Sequence, residues 1–153
     1  MSPFKIFVGL ESTVLRDWDL GMLVNASLVR DFLIQQKTHS ISVFSFAVID
    51  DSDRQYFDAH HRTILSRALD VVIKQVITVN EMMVADQELT QVGFDSPGEF
   101  VVMRSKVCAF ASWTRLHEAG NCMLIDASVI NADILDRDSG FITRFSNVKD
   151  LDK

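Results

Sequence analysis

The stretch from Phe4 to Leu10 is almost continuously apolar and does not alternate apolar with polar residues. A strand of that kind is buried on both faces, which is the habit of parallel sheets covered by helices. It ends in a small polar group, Glu11-Ser12-Thr13. In open α/β sheets the ligand crevice lies at the carboxyl ends of strands, so this junction is the first place to look for a site.

The rest of the chain repeats the alternation. Asn25 is placed to cap a helix from about Ala26 to Lys37, with Leu28, Phe32 and Leu33, and Val29 beside them, forming its buried stripe. Ser40 to Ile49 reads as a second strand, interrupted by Ser42 and Ser45. Asp50, Asp51, Ser52 and Asp53 form an acidic turn, from which Ser52 or Asp53 caps one long helix to about Leu69. Val71 to Val79 is rich in β-branched residues and reads as a short strand or extended connection. Asn80 is the expected cap of the next helix, which runs through Met82, Met83 and Leu89 to near Gly93. Ser96-Pro97-Gly98-Glu99 has capping-box spacing with proline in the first turn. The apolar pattern then runs through Val107, Phe110, Trp113 and Leu116, with Gly120 as a stop, and leaves open whether Phe100 to Met103 is helical or extended. Cys122 to Asp126 is an apolar strand ending in a carboxylate. Asn131, Asp133, Asp136, Asp138 and Gly140 make a polar turn region, Phe141 to Phe145 a last strand, and Asn147 to Lys153 a tail. Strands separated by helical segments imply an α/β fold: a parallel, twisted sheet with helices on both faces. The expectation is one domain spanning 1–153.

The net charge of −6 argues against a general nucleic-acid surface, which needs clustered cations, and against anionic membranes. The first residues carry one lysine and only a short apolar run, unlike a signal peptide. No segment reaches the roughly 18 apolar residues of a membrane helix. A soluble, cytoplasmic protein is expected, with Cys108 and Cys122 as free thiols. The acids at 50, 51 and 53 lack the glycine and distal glutamate of a calcium loop, so a helix cap explains them better. His60 and His61 adjoin in a helix and point to different faces, one at the surface and one half-buried. Trp18, in a loop beside the presumed site, is a potential anchor for a partner.

Four separated segments together resemble the haloacid dehalogenase-like (HAD-like) superfamily of Rossmann-like hydrolases. In that family the first strand ends in Asp-x-Asp-x-Thr, and here the register gives Gly9-Leu10-Glu11-Ser12-Thr13. Thr13 matches, Glu11 stands in for the second Asp, and Gly9 occupies the nucleophile position. Ser45 fits the phosphate-holding Ser or Thr of the second motif, and Lys106 the lysine of the third. Met123-Leu124-Ile125-Asp126-Ala127 fits the metal-binding strand, with one acid kept and the other replaced by Ala127.

The resemblance implies a three-layer, Rossmann-like (HAD-like) α/β domain, a parallel sheet with helices on both faces and no large cap domain. It implies roles residue by residue: Glu11 as a vestigial acid/base with Lys106 beside it, Thr13, Ser45 and Lys106 for phosphate, Asp126 and Glu11 for magnesium. Covalent phosphoryl transfer needs a carboxylate to attack phosphorus, and glycine has none. Magnesium is usually held by one or two carboxylates with phosphate and water, so any metal site would be weak. The implied protein is a catalytically impaired or inactive relative, a pseudoenzyme acting by binding a protein partner or itself. The rivals are an active magnesium-dependent phosphatase using Glu11 and Asp126, and an anion- or nucleotide-binding module. Ordinary roles compete at each position: a solvated loop acid at Glu11, turn hydrogen bonds at Thr13 and Ser45, a solvated helix lysine at Lys106, and a helix cap or turn residue at Asp126.

Overall fold

The computed structural model describes residues 5–11, 13–104, 106–117, 122–127, 142–148 and 151; the side chains of 106–107 and 142–147 fall outside that description. Its strands are β1 (Lys5–Gly9), β2 (Ser40–Phe44), β3 (Val72–Ile77), β4 (Cys122–Asp126) and β5 (Ile142–Asn147). Its helices are α1 (Ala26–Gln35), α2 (Asp51–His60), α3 (Arg62–Leu69), α4 (Val79–Thr90), α5 (Pro97–Met103) and α6 (Lys106–Leu116). The strands form one sheet in the order β3-β2-β1-β4-β5, and every pairing is parallel. This is a Rossmann-like α/β fold. The order reverses at β1, so the carboxyl ends of β1 and β4 flank the switch point where such sheets open a crevice.

The continuous apolar strands are explained by burial on both faces. Ile6, Val8, Met123 and Ile125 join one core cluster together with Val29 and Leu33 of α1, Phe57 of α2 and Leu65 of α3. Their strand neighbours Phe7, Cys122 and Leu124 join the other, with Met82 of α4, Phe100 of α5, and Phe110 and Trp113 of α6. Successive strand residues point to opposite faces, so each central strand needs two apolar sets. The crossover rule accounts for the split, because β1→β2→β3 advances one way and β3→β4 returns past β1.

Several elements depart from the sequence expectation. Strand β2 stops at Phe44, not Ile49, which leaves Ser45 just beyond its end. The single helix expected up to Leu69 is two, broken at His61, and its cap is Asp50, which forms a reciprocal capping box with Asp53. Helix α4 is capped by Thr78, not Asn80. Asn25 precedes α1 in a left-handed backbone without capping it; its side-chain amide donates instead to the Thr13 carbonyl, at 3.1 Å. Ser96 caps α5 as expected, and Phe100 to Met103 is helical. The last strand starts at Ile142 and runs two residues past Phe145. The stop at Gly120 and the polar turn from Asn131 to Gly140 lie outside the described residues. Of the two cysteines, Cys122 is buried and Cys108 half-buried. Among the described residues no helix is long and apolar enough to cross a membrane.

Candidate functional site

The carboxyl edge of the sheet is built around the end of β1. Gly9 is the last residue of β1 and pairs with Phe44 of β2; on the other side Val8 pairs with Ile125, which sets Asp126 beside Gly9. Past Gly9 the chain coils tightly. The Leu10 carbonyl accepts the amides of Thr13, Val14 and Leu15 at 3.3, 3.2 and 2.9 Å. The turn is pinned because Leu10, Val14 and Leu15 are all buried in the core. A backbone turn tied down by apolar anchors holds the polar side chain between them in a fixed place, here Thr13.

Thr13 is fully buried and bridges two strand ends. Its hydroxyl donates to Asp126 Oδ1 at 3.0 Å and accepts the Ala127 amide at 2.9 Å. Asp126 is itself completely buried at the end of β4. Glu11 turns toward β2. Its Oε1 accepts the Ser45 hydroxyl and, at 3.2 Å, the Ala47 amide; that amide also lies 3.0 Å from Ser45 Oγ. Thus Glu11 and Ser45 meet in one hydrogen bond and Thr13 and Asp126 in another, all at the same edge of the sheet. Lys106 is the first residue of α6, and its side chain lies outside the described residues.

Gly9 is the position that separates chemistries. A Cβ added there would stand 2.5 Å from Asp126 Oδ1, 3.0 Å from its Cγ and 3.3 Å from Phe44 Cζ. Gly9 is not among the described residues with positive φ, so the glycine is not explained by backbone conformation. It is explained by close approach: the space a side chain would need is taken by the Asp126 carboxylate. Phe44 is held in turn by stacking on Phe110, with centroids 5.4 Å apart. Among the described residues no group of three or more His, Cys, Asp or Glu side chains is arranged to share a metal ion.

Other sequence candidates fall elsewhere. Asp50 and Asp53 are consumed by the α2 capping box. Trp18 is no free anchor, since its ring packs on Phe57, Tyr56 and His61 with centroids 6.3, 5.5 and 4.8 Å away. Of the adjacent histidines, His60 is exposed and His61 is buried; burial pushes the His61 pKa below its ordinary value. A feature with no sequence signature lies at the opposite, amino edge of the sheet. A cleft of about 430 Å³ there is lined by Lys5, Lys37, Lys74, Trp113 and His117 among others. These residues are far apart in the chain, and only the parallel topology gathers them.

The site therefore belongs to a Rossmann-like α/β protein with two buried or half-buried acids at the switch point of its sheet. No family model matches the chain, and no curated protein and no solved structure matches it either.

Proposed function

We propose that this chain is a degenerate member of the HAD-like hydrolases, a three-layer domain without a large cap that works by binding and not by phosphoryl transfer. The observation that carries this reading is the crowding at Gly9. In the resembled family that position bears the attacking carboxylate. Here it has no side chain, and Asp126 and Phe44 fill the place where one would go. The remaining polar groups are engaged with one another: Ser45 and the Ala47 amide hold Glu11, and Thr13 holds Asp126. This turns motifs that would grip phosphate into ties between strand ends.

Asp126 and Glu11 are also the residues that would hold magnesium. A hard cation takes carboxylate oxygens together with water and phosphate, and with Thr13 on Asp126 Oδ1 and Ser45 on Glu11 Oε1 such a site would be weak. Exposed apolar side chains on α5, Val102 at 85% and Met103 at 60%, support a protein partner or self-association as the mode of action. A phosphatase screen with magnesium tests the reading. The expected result is no turnover above that of Asp126→Ala. Turnover that is abolished by both Asp126→Ala and Glu11→Gln would instead establish a magnesium-dependent hydrolase.

A further inference from the structure

We propose that the amino-edge cleft is a binding site for a small multivalent oxyanion, separate from the carboxyl-edge crevice and independent of the reading given for it. The chain has 21 acidic residues against 15 Lys and Arg, yet no Asp or Glu is among the described residues lining this cleft. Three of the six lysines in the sequence, Lys5, Lys37 and Lys74, line it instead. Among the described residues none of the three makes an ion pair or a side-chain hydrogen bond. Concentrating cations in one concavity of an acidic protein focuses potential there and draws anions to it.

Two of the lysines sit at backbone irregularities. Lys37 adopts a left-handed conformation, φ 54°, at the end of α1. There its amide bonds the Ile34 carbonyl and the Thr38 amide bonds that of Leu33, both at 2.9 Å. This pattern is a Schellman closure, whose left-handed position strongly favours glycine. The helix carbonyls are thus met by backbone amides, and the Lys37 ammonium is not needed to cap them. Lys74 is the extra residue in a register shift: Ile41 pairs with Ile73 and Ser42 with Gln75, so Lys74 is skipped. Bulges of this kind re-aim a side chain and are concentrated near functional sites.

Two residues that line the cleft carry buried, unmet donors. Trp113 is 4% exposed, and its buried indole Nε1–H has no partner among the described residues; the same holds for the Thr38 hydroxyl. Buried donors without partners are rare in folded proteins, and a bound ion is one of the standard explanations. His117 stacks on Trp113, with centroids 4.4 Å apart. Its Nδ1 lies 2.9 Å from the Trp113 carbonyl, which only accepts, so Nδ1 carries a proton and Nε2 is left for other contacts. Ammonium groups, an indole N–H and a hydroxyl are all donors, and together they suit phosphate or carboxylate oxygens. Three ammonium groups call for more than one negative charge.

The test is a titration of the ¹⁵N-labelled chain at fixed ionic strength with pyrophosphate, with citrate, and with chloride as control. The sequence has two tryptophans, and a Trp113→Phe variant identifies the Trp113 indole signal. Pyrophosphate or citrate is expected to move that signal while leaving the Trp18 indole in place. A response to pyrophosphate alone identifies a phosphate-bearing ligand, and a response to citrate alone a polycarboxylate. Lys37→Gly and Lys74→Gln are each expected to weaken binding roughly tenfold, the usual effect of removing a hydrogen bond to a charged group. Lys37→Gly should do so while raising the Tm of the ligand-free protein, because glycine relieves the left-handed strain. A merely structural lysine would not separate the two readouts. A Trp113 signal that ignores both anions, or that moves equally in the wild type and the two lysine variants, overturns the proposal.

Discussion

Gly9→Ala is the substitution on which the account of the carboxyl edge turns. Adding one Cβ at a strand position is ordinarily mild and removes backbone freedom from the unfolded chain, a gain of about 0.4–1 kcal/mol. Here the new carbon would meet Asp126 Oδ1 at 2.5 Å and Cγ at 3.0 Å. The first distance is not tolerable and the second is tight, so the carboxylate must swing away; Phe44 Cζ, 3.3 Å from the same carbon, is fixed by its stack on Phe110. Overpacking of a tight interior costs about 1–3 kcal/mol. Displacing Asp126 also breaks its bond from the Thr13 hydroxyl; hydrogen bonds to charged groups are worth about 1.5–3 kcal/mol. Setting the first gain against the two losses gives a net destabilisation of roughly 2–5 kcal/mol. For a chain of this size that is a fall in Tm on the order of 5–15 °C, read by calorimetry or by the urea midpoint. The cause is isolated by a double-mutant cycle with Asp126→Ala, which removes the obstructing carboxylate. The second alanine at position 9 should then cost at least 1 kcal/mol less, a coupling typical of residues in contact. A Gly9→Ala protein as stable as the wild type, or two costs that simply add, would show that Asp126 does not occupy the space and would remove the physical basis of the proposed reading of position 9.

Three further outcomes are expected. Burial against Trp18, Tyr56 and Phe57 lowers the His61 pKa from 6.5, so the unfolded chain takes up its proton first. Stability from this group is complete above pH 6.5 and declines as pH falls toward the lowered folded value; urea unfolding at pH 8 and pH 5 should show a loss that His61→Phe reduces. Asp86, 2% exposed, accepts the Ser112 hydroxyl at 3.0 Å and Arg104 Nε at 3.2 Å, joining α4 to α6 and to the residue that ends α5. Asp86→Ala should therefore cost about 2 kcal/mol by leaving both donors unmet, measured by chemical denaturation. Burial raises the Cys122 thiol pKa to about 11, against a smaller opposing pull from Lys5. At pH 8 a thiol reagent should accordingly modify Cys122 only after unfolding, which mass spectrometry of labelled peptides would read.

Strand β1 and strand β4 were legible in the chain because burial on both faces leaves a one-dimensional signature, an apolar run without alternation. Parallel pairing followed from helical segments lying between such runs. Thr78 as the α4 cap and Asp50 as the α2 cap were missed because several short polar residues stood within reach of each helix start. Only backbone geometry chooses among them. The break at His61 was hidden for a related reason, since the apolar spacing of Phe57, Leu65 and Leu69 continues across it.

The sequence by itself determined that acids and hydroxyls would stand at the ends of apolar strands and that position 9 carries no side chain. What Gly9 excludes, and what surrounds it, was decided only by tertiary structure. Asp126 reaches that point from 117 residues further along the chain, through pairing of β1 with β4. The amino-edge cleft is the stronger case. Lys5, Lys37 and Lys74 share no local pattern; they become neighbours because parallel strands all begin at one edge, so that residues near successive strand starts converge however far apart they lie in sequence.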